Sequence, residues 1–284
     1  MEKENNDLRQ IADYYDAGAE VGRLRRGIGV IEWERSREII SRYLPKDTIT
    51  IYDIGGGIGE YSRWLAGLGH EVHLFDLSSA SVAYAQDLQK TESSPRLASI
   101  EQADGRTINR PSESADIVLL MGPLYHLPDR EERLAALKEA FRLLKPGGIL
   151  LAASISRFSS TLWGLSVYGQ KNEVLEEASF RSMIGRELAE GQHIRPEEYP
   201  GFIARAFFHL PEEMREEIRN AGFEEPELFA VEGPLWIVPA LEDKWNEPDS
   251  RKMLLELGSA LETQENLLGM SPHLLAAARK GRSA

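Results

Sequence analysis

Short apolar runs alternate along this chain with segments whose apolar residues recur three and four positions apart. Ile49, Ile51 and Ile54 mark a first strand. Tyr61, Trp64, Leu65 and Leu68 follow at helical spacing, and Gly69 supplies a stop. Val72, Leu74 and Phe75 form a second strand that ends at Asp76. Val82, Ala83, Ala85 and Leu88 predict a helix capped by Ser78 or Ser79. Residues 97–103 read as a third strand, closed by Asp104-Gly105. Residues 115–121 read as a fourth, nearly all apolar, as a central parallel strand should be. Over 130–144, Leu134, Leu137, Ala140, Phe141 and Leu144 share a helix face. Lys145-Pro146-Gly147-Gly148 stops it, and 149–155 is a fifth strand. Strict alternation of this kind predicts an α/β fold with a doubly wound, mostly parallel sheet.

The flanks break the rhythm. In residues 1–47, Ile11, Tyr14 and Tyr15 open a helix-like stretch, Gly27 and Gly29 interrupt it, and apolar residues from Ile31 to Leu44 form a second helix before Pro45. This segment is expected to be an N-terminal helical lid on a core that spans 48–155. Residues 156–208 hold Phe158, Trp163, Tyr168, Phe180, Met183, Tyr199 and Phe202. They are too long for a connection and too aromatic for a disordered linker. They read as an inserted substrate cap after strand five, with the aromatics forming mostly its own small core. Residues 209–284 return to the core: a helix opened by His209 and stopped by Gly222, a sixth strand at 226–231, a mostly helical 241–268, and a last strand at 274–278.

The chemistry concentrates between the first two strands. Gly55, Gly56, Gly57 and Gly59 follow strand one at once. Glycine permits positive φ and leaves no Cβ in the way of a ligand. An acid ending strand two, Asp76, suits ribose hydroxyls. The expected ligand is nucleoside-like and lies across the carboxyl ends of the strands. The dinucleotide pattern G-x-G-x-x-G fails in every frame here: from Gly55 the third glycine falls on Glu60, and from Gly57 it falls on Ser62.

Composition narrows the partners. The 284 residues are 42% hydrophobic and 28% charged, an ordinary globular balance. The net charge of −13 opposes nucleic-acid binding. Cysteine is absent, which removes disulfides and thiol chemistry. The six histidines, at 70, 73, 126, 193, 209 and 273, are scattered, and no metal site is expected. The polar start lacks a secretory pattern, so a cytoplasmic location is expected. Arg23, Arg25 and Arg26 read as a solvated face or as an anion site.

The run Asp53-x-Gly55-x-Gly57-x-Gly59 resembles motif I of the class I S-adenosylmethionine (SAM)-dependent methyltransferases, and Asp76 resembles their ribose acid. Asp104-Gly105 is similar to the pair that meets the adenine, and 116–126 to the fourth strand and its active-site exit. Within that class the chain resembles the broad type 11 and type 25 small-molecule enzymes. The resemblance implies a seven-stranded sheet with an antiparallel last strand, SAM as methyl donor and S-adenosylhomocysteine as product. It implies transfer to an oxygen or nitrogen of a small molecule, with tRNA or protein methylation, or a catalytically silent SAM-binding module, as alternatives. The implied cofactor residues are Asp53, Gly55, Gly57, Gly59, Asp76, Leu77, Asp104, Gly105 and Met121. Arg23 is added for the cofactor carboxylate and Tyr14 for a ring face towards the sulfonium. His126, in the exit loop, is the candidate base, and Tyr15 stands beside it as a catalytic candidate. Two stretches are more particular than the superfamily. One is Tyr-Tyr-Asp-x-Gly-x-Glu with Arg23-Leu24. The other holds His-Leu-Pro-Glu-Glu, then Val-Glu-Gly-Pro-Leu-Trp, then Ser-Pro-His-Leu-Leu. Both resemble a set of bacterial methyltransferases.

Overall fold

Alternating side chains split each central strand between two apolar layers. A computed structural model describes residues 22–91, 95–166 and 170–282; Tyr14 and Tyr15 lie outside them. In β1 (Thr50–Ile54) and β4 (Ala115–Leu120), Ile51, Ile117 and Leu119 face one way, and Tyr52, Ile54, Val118 and Leu120 the other. The first set packs with α1 (Gly29–Ser41), α2 (Glu60–Gly67) and α3 (Ser79–Gln89), through Ile39, Ile40, Tyr61, Leu65 and Ala85. The second packs with Leu137, Ala140 and Leu143, and with Met214 and Ile218. Those come from two later helices, α5 (Arg130–Leu143) and α8 (Pro211–Asn220), with a single turn, α4 (Pro123–His126), before α5. Ser78 caps α3 by accepting from the Ser81 N–H at 3.0 Å.

The central order is β3-β2-β1-β4-β5-β9-β8. It comprises β2 (Glu71–Asp76), β3 (Ser99–Gln102), β5 (Leu144–Ser156), β8 (Glu227–Ala230) and β9 (His273–Arg279). The strands from β3 to β5 are parallel, and β9 is antiparallel to both β5 and β8. This is the seven-stranded sheet expected. Asp53 stands in register with Leu74 and Leu119, so β1, β2 and β4 end together. Among the described residues no helix is long and apolar enough to cross a membrane.

Three local readings change. β5 starts at Leu144, directly after α5, because 145–148 continues into the strand despite Pro146 and a positive φ of 82° at Gly147. β3 is shorter than 97–103. His209 does not open a helix; it ends a strand, Arg205–His209, and is fully buried.

The insert contains strands that the sequence pattern did not suggest. After α6 (Ser159–Leu165), a 3₁₀ turn at Gln170–Glu176 and α7 (Ala178–Glu190) come β6 (Gln192–Ile194) and β7 (Arg205–His209), an antiparallel pair. β7 runs parallel to β5 at Ile155 and Ser156, past the point where β4 stops opposite Ala152. β7 thus straddles the expected boundary at 208/209. Within the insert Val174, Phe180 and Met183 are buried, with the partly buried Trp163, Tyr199 and Phe202 packed on them. Trp163 and Phe202 meet edge to face at 5.2 Å, and Tyr199 stacks on Phe202 at 5.2 Å.

A buried charge pair ties this hairpin to the exit of β4. The Arg133 guanidinium binds Glu217 with Nε at 2.9 Å and Nη2 at 2.7 Å, and its Nη1 donates to the Leu127 and Pro128 carbonyls at 2.9 Å each. The guanidinium lies 3.7 Å from the Phe207 ring centre, and His209 Nε2 is 3.3 Å from Glu217. Burial alone would raise the Glu217 pKa; His209 and Arg133 outweigh it and bring it down to about 2 from 4.5. A depressed folded-state pKa adds stability that is complete above about 4.5 and is lost as pH falls towards 2. Glu217→Gln should cost about 3 kcal/mol at neutral pH, since Arg133 is then buried without its counter-charge. Urea unfolding at pH 7 and pH 3 should show that the gap between variant and wild type narrows in acid. An unchanged gap would remove the pair from the stability account.

Candidate active site

The β1–α2 turn is built for close approach. Gly55 and Gly57 take φ of 71° and 57°, and Gly59, at 80°, precedes α2. Such values strain any residue with a side chain. The Gly55 N–H donates to the Phe75 carbonyl at 2.7 Å, which pins the turn to β2. On the other side the turn lies against the β4 exit: a Cβ on Gly122 would stand 3.0 Å from the Gly55 carbonyl oxygen.

Asp76 closes the arrangement. Its Oδ2 accepts from the Gly57 N–H at 2.7 Å and its Oδ1 from the Ser78 N–H at 2.8 Å. The half-buried carboxylate is therefore held by backbone at the lip of a cleft of about 1040 Å³ including its mouth. The cleft lies over the carboxyl ends of β1, β2 and β4, where ligands of open α/β sheets bind.

Most of the expected residues meet there. Gly55, Gly57, Asp76, Leu77, Asp104, Gly105, Met121, His126 and Arg23 all line the cleft. Two do not. Gly59 stands behind the turn, where it shapes the entry to α2. Asp53 is fully buried beneath the turn, with Oδ2 accepting from Ser62 Oγ at 2.6 Å and Oδ1 without a hydrogen-bond partner. Burial, with nearby Asp76 adding to it, pushes its carboxyl up to about 6. Asp53 fastens β1 to α2 from behind and is not a wall of the cleft. Tyr14 and Tyr15 fall outside the described residues.

Asp104 is held by Arg106, whose Nη2 is 2.6 Å from its Oδ2 and whose backbone N–H is 2.9 Å from Oδ1. Arg106 in turn reaches Glu132 at 2.6 Å. The carboxyl stays below its ordinary range although burial opposes this, because the Arg106 contacts outweigh burial. Arg23 comes from a 3₁₀ turn, Arg23–Arg25, that lies across the cleft between Gly22 and Gly27, both at positive φ.

His126 is half-buried beside the Tyr125 ring, with centroids 4.6 Å apart. Burial, with Arg23 adding to it, brings its pKa down to about 3. The imidazole is neutral at physiological pH, but its conjugate acid is so strong that it is a weak base for a hydroxyl or ammonium proton. It suits a hydrogen-bonding wall better than a proton acceptor.

Leu24, Ile58, Tyr61, Pro123 and Tyr125 also line the cleft and were not anticipated as site residues. Tyr61 carried only the signal of a core position in α2. Arg133 and Glu217, which hold the exit loop, did leave a trace: Arg133 shares helical spacing with Leu137 and Ala140, and Glu217 with Met214 and Ala221, so each is a charge on an apolar face.

Residues 52–152 match a family model described as a methyltransferase domain. A ubiquinone biosynthesis O-methyltransferase of Paramagnetospirillum magneticum is 34% identical over 128 residues, covering 44% of this chain and 47% of that protein. The chain spans about half the length of the curated relatives it matches. A SAM-dependent methyltransferase of Methanosarcina mazei is similar in fold, with a TM-score of 0.57 at 19% identity over 86% of this chain and 98% of the other. A phosphoethanolamine N-methyltransferase 2 of Haemonchus contortus, solved with S-adenosyl-L-methionine, gives 0.55 at 19% identity over 88% of this chain and 53% of the other. The chain thus carries a stretch, residues 52–152, that matches the methyltransferase-domain family, set in a sheet whose fold is similar to that of solved SAM-dependent methyltransferases and closed at the glycine turn by Asp76.

Proposed function

We propose that the protein transfers a methyl group from SAM to an oxygen or nitrogen of a small-molecule acceptor. The observation that carries this reading is the Asp76 carboxylate fixed 2.7 Å from the Gly57 N–H on one wall of the cleft. Asp76 would accept from the ribose hydroxyls, Leu77, Asp104 and Gly105 would frame the adenine, and the Gly55–Gly57 backbone would face the methionine part. Arg23 would meet its carboxylate. When bound, the sulfonium supplies an activated methyl group for SN2 displacement. The chain's own task is to align the nucleophile and exclude water, which is where proximity contributes most. Met121 and His126, on the β4 exit, are the residues placed to do so.

The relatives support the donor rather than the acceptor, because their similarity is confined to about half of each chain and their names cover different acceptor atoms. A small acceptor is favoured over tRNA by charge: Glu60, Asp76 and Asp104 line the cleft, against Arg23 as its basic residue. The insert reads as a substrate cap because it reaches the exit loop, with Gln192 Nε2 donating to the Pro128 carbonyl at 3.0 Å.

Calorimetric titration with S-adenosylhomocysteine tests the donor site. Asp76→Ala should lose about thirtyfold in affinity, or ~2 kcal/mol. Gly56→Ala should abolish tight binding by a different route, since its Cβ would stand 2.4 Å from Leu74 Cδ1 and 2.5 Å from Asp53 Oδ2 and displace the turn. Retention of wild-type affinity by Asp76→Ala would refute the assignment.

With an acceptor found by screening, His126 gives a second outcome. Methyl transfer should show no inflection between pH 5 and 8 that disappears in His126→Gln. Such an inflection would restore His126 as a general base.

A further inference from the structure

Two stretches singled out in the sequence, Arg23-Leu24 and the pair Val-Glu-Gly-Pro-Leu-Trp and Ser-Pro-His-Leu-Leu, lie more than 200 residues apart and have no part in the cofactor motif. The fold brings them together at the edge of the cleft. Arg23 binds Glu32, in the first turn of α1, with Nη1 at 2.5 Å from Oε2 and Nη2 at 2.9 Å from Oε1. His273 Nδ1 lies 3.8 Å from the same Glu32 Oε2 and 2.6 Å from Glu232 Oε1. Glu232 is itself anchored: its Oε2 accepts from Ser271 Oγ and from the His273 N–H, both at 2.9 Å. Ser271 Oγ accepts from the N–H groups of Glu232 and Gly233 at 3.0 Å. Glu32 and Glu232 are both buried.

We infer that His273, anchored by Glu232, is a positioning residue that acts through Glu32 to keep the Arg23 guanidinium placed and electrostatically available for the cofactor carboxylate. The inference rests on the reading of Arg23 given above. Two buried carboxylates, Glu32 on Arg23 itself and Glu232 behind it on His273, stand against one guanidinium. With Arg23 alone the cluster would carry a net negative charge beside the point where an anionic group must dock. An imidazolium at 273 brings the four groups, Arg23, Glu32, Glu232 and His273, to neutrality and takes up part of the Glu32 charge. Burial would keep His273 neutral, but Glu232 and Glu32 outweigh it and raise its pKa to about 9. Glu32, Glu232 and His273 also offer one ligand atom each within 4.8 Å of one another. The cation positions of that triad are already taken, since both Glu32 oxygens hold Arg23 and His273 Nδ1 faces Glu232. The strap is seated closely as well: a Cβ on Gly29 would stand 2.3 Å from the Arg23 carbonyl oxygen.

The test compares S-adenosylhomocysteine with 5′-methylthioadenosine, which lacks the amino-acid part, by calorimetry at pH 7. His273→Gln should weaken S-adenosylhomocysteine about tenfold and leave methylthioadenosine unchanged. His273→Gln/Glu232→Gln removes one charge of each sign and should return within about twofold of wild type, which a purely structural role would not produce. Equal losses for both ligands, or no rescue in the double variant, would overturn the inference. Arg23→Gln separates the two levels. If it leaves the preference for S-adenosylhomocysteine intact, the Arg23 reading itself fails. If it abolishes that preference while His273→Gln does not, only the role of His273 fails. A stoichiometric divalent ion in the purified protein, with affinity lost on chelation, would also overturn it. Should His273→Gln not fold, wild-type protein decides. The deaminated analogue of S-adenosylhomocysteine should weaken relative to methylthioadenosine as pH rises through about 9, where His273 loses its proton to leave Glu32, Glu232 and Arg23. A flat ratio would overturn it.

Discussion

The closeness of three backbone segments at the carboxyl end of the sheet is the constraint on which the rest depends. The β1–α2 turn, the β4 exit and the segment after β3 meet with almost no side-chain volume between them. A Cβ on Gly55 would lie 2.6 Å from Pro123 Cδ, and one on Gly105 would lie 3.0 Å from Ile54 Cγ2. Packing at this density leaves a Cβ no room without moving backbone. Because β1, β2 and β4 end in register, the glycines and Asp76 arrive at one level, and the cleft is the space above them. Asp53 shows the same constraint from below: it supports the turn through Ser62 and has no place on the cleft wall.

Charge is buried around this cleft in compensated groups. Arg133 and Glu217 lie under the exit loop, with His209 beside them, and fix the carbonyls of Leu127 and Pro128. Arg106 holds half-buried Asp104 on the cleft wall. Arg23, Glu32, His273 and Glu232 lie at the strap. A buried ion without a partner costs several kcal/mol, so each group needs its counterpart in place before the site has its shape. The cleft therefore depends on residues that never reach it. Glu217 belongs to a helix that packs on the far layer, and Glu232 to the turn after β8.

The central fold was legible because it follows from periodicity. Strands from 49 to 155 and the helices between them announce themselves through alternation and 3.6-residue spacing, and the glycine turn with Asp76 marks the ligand end. What stayed hidden is what periodicity does not encode. Gln192–Ile194 is three residues long, and Arg205–His209 pairs with β5 through only two register positions, so neither carries a pattern of its own. His209 looked like a helix-opening residue because Pro211 follows it. Its burial comes from pairing with Ser156 and from Glu217, neither of which is near it in the strand. The partnership of Arg23 with His273 through Glu32 crosses almost the whole chain. A sequence shows both residues but not their distance.

The division of labour at the site follows from where the insert puts its aromatics. Trp163, Phe180, Tyr199 and Phe202 pack on one another, and Trp163 also packs against the cluster of Ile31, Leu235 and Trp236; none of these rings lines the cofactor cleft. The insert contacts the exit loop through Gln192 and through the β7 side chains around Arg133. The same Arg133 holds the Leu127 and Pro128 carbonyls, directly after Tyr125 and His126 on the cleft wall. Opposite them stands the strap with Arg23 and Leu24, clamped to β9 and to the turn after β8 through Glu32. The cleft thus lies between two walls, each braced by an ion cluster.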